Sequence, residues 1–350
     1  RLRRAVPARP DGREVEVSTY HGFAASILDE FGARYGWTGG ATIMDEGHRF
    51  ELAARVLRAA DDGMLDLTKI PSLRKEVLAV ADALNENLTD GDAVRDLAPR
   101  EPDDVWRTRL ALVAAAERYE DAKRSLGLVE YADLIRMATL IVEGDDDVAR
   151  RIAGRYDMVL LDEYQDTDRA QRRLLTAAFT GGPTVTAVGD ADQTIYEWRG
   201  ASLRNFEEFP TDFPVDSGAP APTLPLSINR RSERRIIDLA NRVRMRIPSI
   251  EGSRDLRPRP DAGSGRVRVS WHATEDAEAT WIADHIAQRH DDEGIPYAET
   301  AILCRRRDSL RVVSEALRSA EIPFTVSSMS DLLDVPEITD LHAWLRIVAD

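Results

Sequence analysis

Two acidic clusters sit where strands should end. In "MVLLDEYQDTD", residues 158 to 168, four apolar residues run straight into Asp162 and Glu163, followed by Gln165, Asp166 and Asp168. In "TVTAVGDADQTIYEWRGA", residues 184 to 201, an apolar run again ends in Gly189, Asp190 and Asp192, followed by Gln193. One carboxylate at such an edge can hold Mg²⁺, and its neighbour can accept a proton from an attacking water. Gln193, at the second of these edges, can orient that water or sense a terminal phosphate. Tyr196 and Trp198, with Arg199 adjacent, form a sequence-tolerant platform on which bases can stack, worth roughly 1–3 kcal/mol per base. Plainer roles stay open at this point. Asp162 can begin a turn, Glu163 can be solvated, Tyr196 and Trp198 can be core aromatics, His21 can pack on its own helix, and Arg230 and Arg231 can be a solvated pair.

These residues need a parallel sheet to bring them together. The order strand "MVLL", helix "DRAQRRLLTAAF", strand "TVTAV" predicts parallel strands joined by a crossover helix. The unbroken hydrophobicity of "MVLL" predicts a central strand buried on both faces. Ligands in such sheets sit at the carboxyl ends of the strands. Upstream, "EVEVS" (14–18) alternates like a strand. "HGFAASILDEF" puts Phe23, Ile27, Leu28 and Phe31 on one helical face, with Ser18 or Thr19 as its cap. Residues 45 to 140 read as all-helical, with one apolar stripe through Phe50, Ala53, Ala54 and Leu57. A second runs through Val77, Val80, Ala81, Leu84 and Leu88, and a third through Val105, Leu112, Val113, Ala116 and Tyr119. Loops are predicted at 214–225 and 248–265. Beyond them "RVRVSW", "TAILCR" and "IPFTVS" read as strands alternating with helices over 275–290 and 308–320. The fold class is therefore α/β, with two cores and a helical insertion in the first.

Composition is that of an ordinary globular protein of 350 residues, 43% hydrophobic and 31% charged. No apolar run is long enough to span a membrane. The single cysteine, Cys304, cannot form an internal disulfide, which suits a reducing cytosol, and its apolar context "AILC" points to packing. A net charge of −15 argues against a nucleic-acid partner on its own, but local basic surface matters more than the total. Arg230, Arg231, Arg234, Arg235, Arg242, Arg244 and Arg246 crowd one short segment.

Taken together, these segments resemble the superfamily 1A DNA helicases of the UvrD, PcrA and Rep type. "LLDEYQDTD" looks like their Walker B motif, and "VGDADQTIYEWRGA" closely resembles their motif III. "VSTYHGFA" (17–24) is similar to their motif with a Thr-aromatic-His core, and "LPLSINRRS" (224–232) to their motif IV. "VEYADLI" (129–135) matches the helix start after their 1B insertion, and "LLDVPEITDLHAWLRIV" (332–348) a segment of their 2A domain. The resemblance implies two incomplete RecA-like parallel-sheet cores. Residues 1–42 and 129–225 would form core 1A, 43–128 the helical insertion 1B, and 226–350 the N-terminal part of core 2A.

Carried over residue by residue, it implies ATP and Mg²⁺ as cofactors. Asp162 would hold Mg²⁺ through water, Glu163 would be the general base, Gln193 would touch the γ-phosphate, and Arg231 would be the arginine finger. Asp190 and Arg230 would lie at the nucleotide, Arg230 standing where the family usually has an adenine-stacking tyrosine. Tyr196, Trp198 and Arg199 would stack on single-stranded DNA, and Thr19 and His21 would touch its backbone. The implied partners are single-stranded DNA and duplex junctions, the implied direction 3′ to 5′, and the implied location cytoplasmic.

No "GxxxxGK[ST]" phosphate loop occurs in the chain, so the expectation is a piece of a longer helicase, inactive alone. Two other readings compete with a helicase. One is a non-hydrolysing DNA-binding or scaffold relative. The other is a metal-dependent nuclease using Asp162, Glu163 and Asp190.

Overall fold

The computed structural model describes residues 15–37, 41–59, 65–195, 203–246, 255–326 and 344. Helix α1 (Tyr20–Phe31) starts at Thr19, whose hydroxyl accepts from the Gly22 amide, and buries Ala24, Ile27, Leu28 and Phe31. Strand β1 (Thr42–Ile43) opens a helical segment of α2 (Glu46–Ala59), α3 (Ile70–Glu86), α4 (Gly91–Asp96) and α5 (Asp104–Ser125). Leu52, Ala53, Leu57, Val77, Ala81, Leu112, Ala116 and Tyr119 form that segment's own core. Strand β2 (Leu128–Val129) then returns to pair in parallel with β1, Thr42 against Leu128 and Ile43 against Val129. After it come α6 (Tyr131–Gly144), α7 (Asp146–Ala153), β3 (Met158–Leu161), α8 (Arg169–Phe179) and β4 (Thr184–Ala187). Strands β3 and β4 pair in parallel through four residues, from Met158↔Thr184 to Leu161↔Ala187. Ile27, Leu28, Leu134, Ile135, Ile141, Leu161, Tyr164 and Leu174 lie in the core beneath them. Helix α9 (Leu203–Asp212), β5 (Ile228–Asn229), α10 (Arg234–Arg244) and β6 (Arg257–Pro258) follow, with β5 and β6 parallel.

The chain divides into two compact units at Ser264/Gly265. Residues 226–264, which the sequence sets with the second core, gather with the first unit, where Arg244 is ion-paired to Asp192. The second unit holds α11 (Glu275–Glu293) and α12 (Arg307–Ser319), packed through Ala283, Leu317 and Ile322. Cys304 there is half-buried.

Several expectations need correction. Strand β3 is not buried on both faces, for Met158 and Leu160 are exposed, Leu160 by 72%. One face of the β3–β4 pair lies on the helical core, and no layer covers the other among the described residues. The predicted strand at 14–18 has no ladder partner over its described residues, 15–18, and Val15 and Val17 stay exposed. The segments 266–271, 300–305 and 322–326 likewise form no strand or ladder, and Arg305 lies in a bend. Val269, Trp271 and Leu303 are exposed, as apolar strand residues are when no neighbouring strand or layer meets them. Val105 is exposed rather than part of its helical stripe, and the two-residue strand β2 interrupts the region read as all-helical.

What ties the helical segment to the core is a buried ion network. Lys123 on α5 is 1% exposed. Its ammonium donates to Glu120 at 2.8 Å, to Glu130 at 3.0 Å and to Asp133 at 3.0 Å. Arg49 on α2 donates to Glu130 and to Asp82 of α3, and the Tyr119 hydroxyl donates to Glu130. Glu130 and Asp133 form the capping box that starts α6. Burial pulls the Lys123 ammonium's pKa down, but Asp133, Glu120 and Glu130 outweigh it and leave the pKa raised. Burial likewise pushes Glu130 up, and Lys123 and Arg49 reverse that and hold it below the ordinary value. A buried ion pair adds little net stability over an apolar pair, but removing one member strands the others. Replacing Lys123 by Met should therefore cost about 3–5 kcal/mol in urea unfolding of the chain. A loss under about 1 kcal/mol would mean that the acids are hydrated or neutral without it.

Candidate functional site

The β3–β4 ladder delivers both acidic segments to one edge. It runs on past the strands, the Val188 amide donating to Leu161 O at 2.8 Å and the Tyr164 amide to Val188 O at 3.0 Å. At this edge the backbone of Glu163 turns left-handed, with φ 50° and ψ 43°. A side chain with a Cβ rarely adopts that conformation, and it costs of order 1–3 kcal/mol. The turn throws Asp162 and Glu163 outward, both exposed.

Gln165 holds the two segments together. It is 2% exposed and spans the gap between the strand ends. Its side-chain amide donates to Glu163 Oε2 at 2.6 Å, and its carbonyl accepts from the Asp190 backbone amide at 3.0 Å. Asp190 in turn accepts from the Gln193 side chain at 2.8 Å and from the Asp192 amide at 3.0 Å. Glu163, Gln165, Asp190 and Gln193 thus form one hydrogen-bonded line across the sheet edge. The glycine at 189 follows from it, because a Cβ there would stand 2.5 Å from the Gln165 carbonyl oxygen and 2.9 Å from the Phe206 ring. Burial raises the Asp166 pKa, and the Glu163 charge adds to the rise.

Helix α1 approaches from the side. The hydroxyls of Tyr20 and Thr167 lie 3.3 Å apart, and burial raises the Tyr20 pKa, with Asp162 and Asp168 adding to the rise. Thr19 is the exposed cap of that helix. His21 is half-buried with its ring edge-on to Tyr131 at 5.3 Å, and burial lowers its pKa. Arg230 and Arg231 are exposed and make no ion pair with a described residue. The Arg231 amide donates to Asn229 Oδ1 at 3.0 Å. Its guanidinium has no hydrogen bond to Asp162, Glu163, Asp190 or Gln193. Tyr196, Trp198 and Arg199 lie outside the described residues. No group of three or more His, Cys, Asp or Glu among the described residues could hold a metal by itself. Sequence reasoning missed Gln165 and Arg244. The signal for Gln165 was its place two residues after Glu163, opposite a glycine; nothing in the sequence marked Arg244.

Residues 1–214 match the family model of the UvrD/REP helicase N-terminal domain, and residues 224–350 that of the UvrD-like helicase C-terminal domain. The chain is 30% identical over 342 residues to the ATP-dependent DNA helicase PcrA of Leuconostoc citreum, covering 97% of this chain and 43% of that one. It is 31% identical over 345 residues to the ATP-dependent DNA helicase UvrD1 of Mycobacterium tuberculosis, covering 96% and 43%. Against the ATP-dependent DNA helicase Rep of Escherichia coli the identity is 26% over 343 residues, covering 98% and 48%. The chain thus spans about half the length of the curated relatives it matches.

Two substitutions test the chemistry beneath this edge. Tyr164 is fully buried, edge-on to Phe209, and its hydroxyl has no hydrogen-bond partner among the described residues. Tyr164→Phe should leave stability unchanged or raise it by about 1 kcal/mol in thermal unfolding; a clear loss would reveal a partner for the hydroxyl. Asp168 caps α8, and burial pushes its carboxyl up to about 6, although the Gln171 and Ala170 amides pull the other way. The folded state then holds a proton that the unfolded state has released, so stability falls as pH rises from about 4 to about 6. Asp168→Asn keeps the cap and should remove that decline, a difference of order 1–3 kcal/mol between pH 4 and pH 7. Parallel stability curves for the two proteins would place Asp168 in solvent.

Proposed function

Because the chain belongs to the UvrD/REP helicase family, we propose that it carries part of the ATPase engine of a cytoplasmic DNA helicase that translocates 3′ to 5′ on single-stranded DNA and opens duplex junctions. The observation that carries this is the line from Glu163 through Gln165 and Asp190 to Gln193. It brings the Glu163 carboxylate and the Gln193 amide to one sheet edge, which supports their reading as base and phosphate sensor for in-line attack of water on a terminal phosphate.

Mg²⁺ usually binds one or two carboxylates plus substrate phosphates rather than an all-protein cage. The exposed Asp162 at the strand end, with no larger ligand cluster among the described residues, fits that mode. When bound with ATP, the ion would neutralise charge on the phosphate oxygens. Glu163, aimed outward by its left-handed backbone and held by the Gln165 amide, takes the proton from water. The Gln193 amide is parked on Asp190 and can turn from it to a phosphate oxygen. Arg231 supplies a cation to the charge that develops, and Arg230 offers a planar guanidinium for stacking on the base. Thr19 and His21, at the start of α1, contact the DNA backbone. Tyr196 and Trp198, with Arg199, stack on bases three to six residues after Gln193, so hydrolysis and strand grip share one short segment. The domain division proposed with this reading is core 1A (1–42 and 129–225), insertion 1B (43–128) and the start of core 2A (226–350).

The test is Glu163→Gln in the full-length protein. Turnover of ATP on single-stranded DNA should fall by about 10²–10⁴, the usual contribution of a general base, while nucleotide affinity measured by equilibrium binding stays the same. Undiminished turnover removes Glu163 from the base role. A wild-type protein that binds single-stranded DNA and hydrolyses nothing would favour the scaffold reading instead.

A further inference from the structure

Beyond the nucleotide edge, one ion pair joins two segments that the proposed mechanism needs to move together. Arg244, the last residue of α10, donates from Nε to Asp192 Oδ2 at 2.6 Å and from Nη1 to Asp255 Oδ1 at 2.9 Å. The side chains of Arg244 and Asp192 are only 19% and 18% exposed. Asp192 lies in the short turn Ala191–Gln193, immediately before the glutamine. Arg244 lies at the far end of the helix that follows Arg231.

Three sets of bonds make the segment from Arg231 to Arg244 stiff. Asn229 Oδ1 accepts from the Arg231 and Ser232 amides at 3.0 and 2.8 Å, which locks the turn that presents Arg231. Asn241 exchanges two hydrogen bonds with the Leu256 backbone, at 2.9 and 3.0 Å, which ties α10 to the segment of β6. Glu233 accepts from Arg259 at 2.7 Å beside the start of the helix. The eleven residues of α10 span about 16 Å between these two ends.

The joint at Asp192 is ionic in character. Val243 and Met245, which flank Arg244, are exposed. Such a contact opens and closes without repacking a core, and the negative end of the helix favours an arginine there.

We propose that Asp192 and Arg244 form a positioning latch, through which a rearrangement of Gln193 is passed along α10 to the turn that presents Arg231. The latch rests on the helicase reading for what Gln193 and Arg231 act upon. Asp190 shares its carboxylate between the Gln193 side chain and the Asp192 amide. When Gln193 leaves Asp190 for a phosphate, the turn that holds Asp192 loses one of its ties, and Arg244 feels the change directly. Neither latch residue touches the nucleotide; each acts through another residue.

The experiment is a double-mutant cycle in the full-length protein with Asp192→Asn, Arg244→Gln and the pair. Each single change should lower kcat for DNA-stimulated ATP turnover about tenfold, the size of a typical coupling energy, with KM for ATP shifted less than about twofold. The double variant should fall no further than the singles, and Arg244→Lys should recover part of the loss. Additive losses, or a change in KM alone, would overturn the latch. Hydrogen exchange on the 350-residue chain separates this from failure of the helicase reading. If the wild-type protein hydrolyses no ATP, the reading falls, and the latch is judged by amide exchange at residues 190–194. Faster exchange there in both single variants supports the tie, and unchanged exchange overturns it.

Discussion

Everything at the candidate site depends on a backbone ladder that ends in step. Strands β3 and β4 terminate at Leu161 and Ala187 on the same rung, and two further backbone bonds carry the pairing past both ends. A shift of one rung would move Asp190 by about 3.3 Å along its strand. It would also swap the faces on which the β4 side chains lie. The Gln165 carboxamide could then no longer reach both Glu163 and the Asp190 amide. The register is held by burial on one side only, where Leu161 and Tyr164 enter the core. The line of side chains across the edge is thus a consequence of core packing beneath it, and the strained backbone of Glu163 is held by the same rungs.

The charges at this edge are kept apart from the charges that hold the fold. Around Lys123 and Arg49, cations and carboxylates meet directly in a buried network, and the raised and lowered pKa values there record mutual neutralisation. At the sheet edge, carboxylates are held by amides instead. Glu163 takes its bond from Gln165 and Asp190 takes one from Gln193. An amide orients a carboxylate without cancelling its charge. A lysine in either place would cancel the negative charge that the amides leave intact. Where a cation does enter, at Arg244, it binds Asp192, two residues from Asp190 and one from Gln193.

The sequence was most legible where one residue pattern has one physical outcome. The apolar runs at 158–161 and 184–187 become paired strands, the stretch between them becomes α8, and Thr19 caps α1. It was less legible where the outcome depends on a neighbour. The run 266–271 alternates as a strand should, yet a strand exists only with a partner, and none pairs with it among the described residues. The exposure of Leu160 has the same origin, since its residue type says apolar and its burial depends on a covering layer that no described residue supplies. Gln165 was hidden because an amide's role is set by what lies opposite it, here Asp190, 25 positions on in the chain. Arg244 lies 52 positions from Asp192 and reads, in sequence, as one arginine in a crowd. The aromatic pair Tyr196 and Trp198 was the most explicit signal for DNA, and it falls outside the described residues.

The total charge of −15 is compatible with a polyanionic partner because of how that charge is spread. Much of the acid is already committed: Glu120, Glu130 and Asp133 to Lys123, Asp82 to Arg49, and Glu208 and Asp212 to Arg172. Such paired acids create little field beyond a Debye length of about 8–10 Å. Arg230 and Arg231, by contrast, are exposed and make no ion pair with a described residue. Their field reaches solvent, uncancelled by any carboxylate among the described residues. The net charge of the chain therefore says little about the local field beside the turn that Asn229 locks, where these two arginines stand without a carboxylate partner among the described residues.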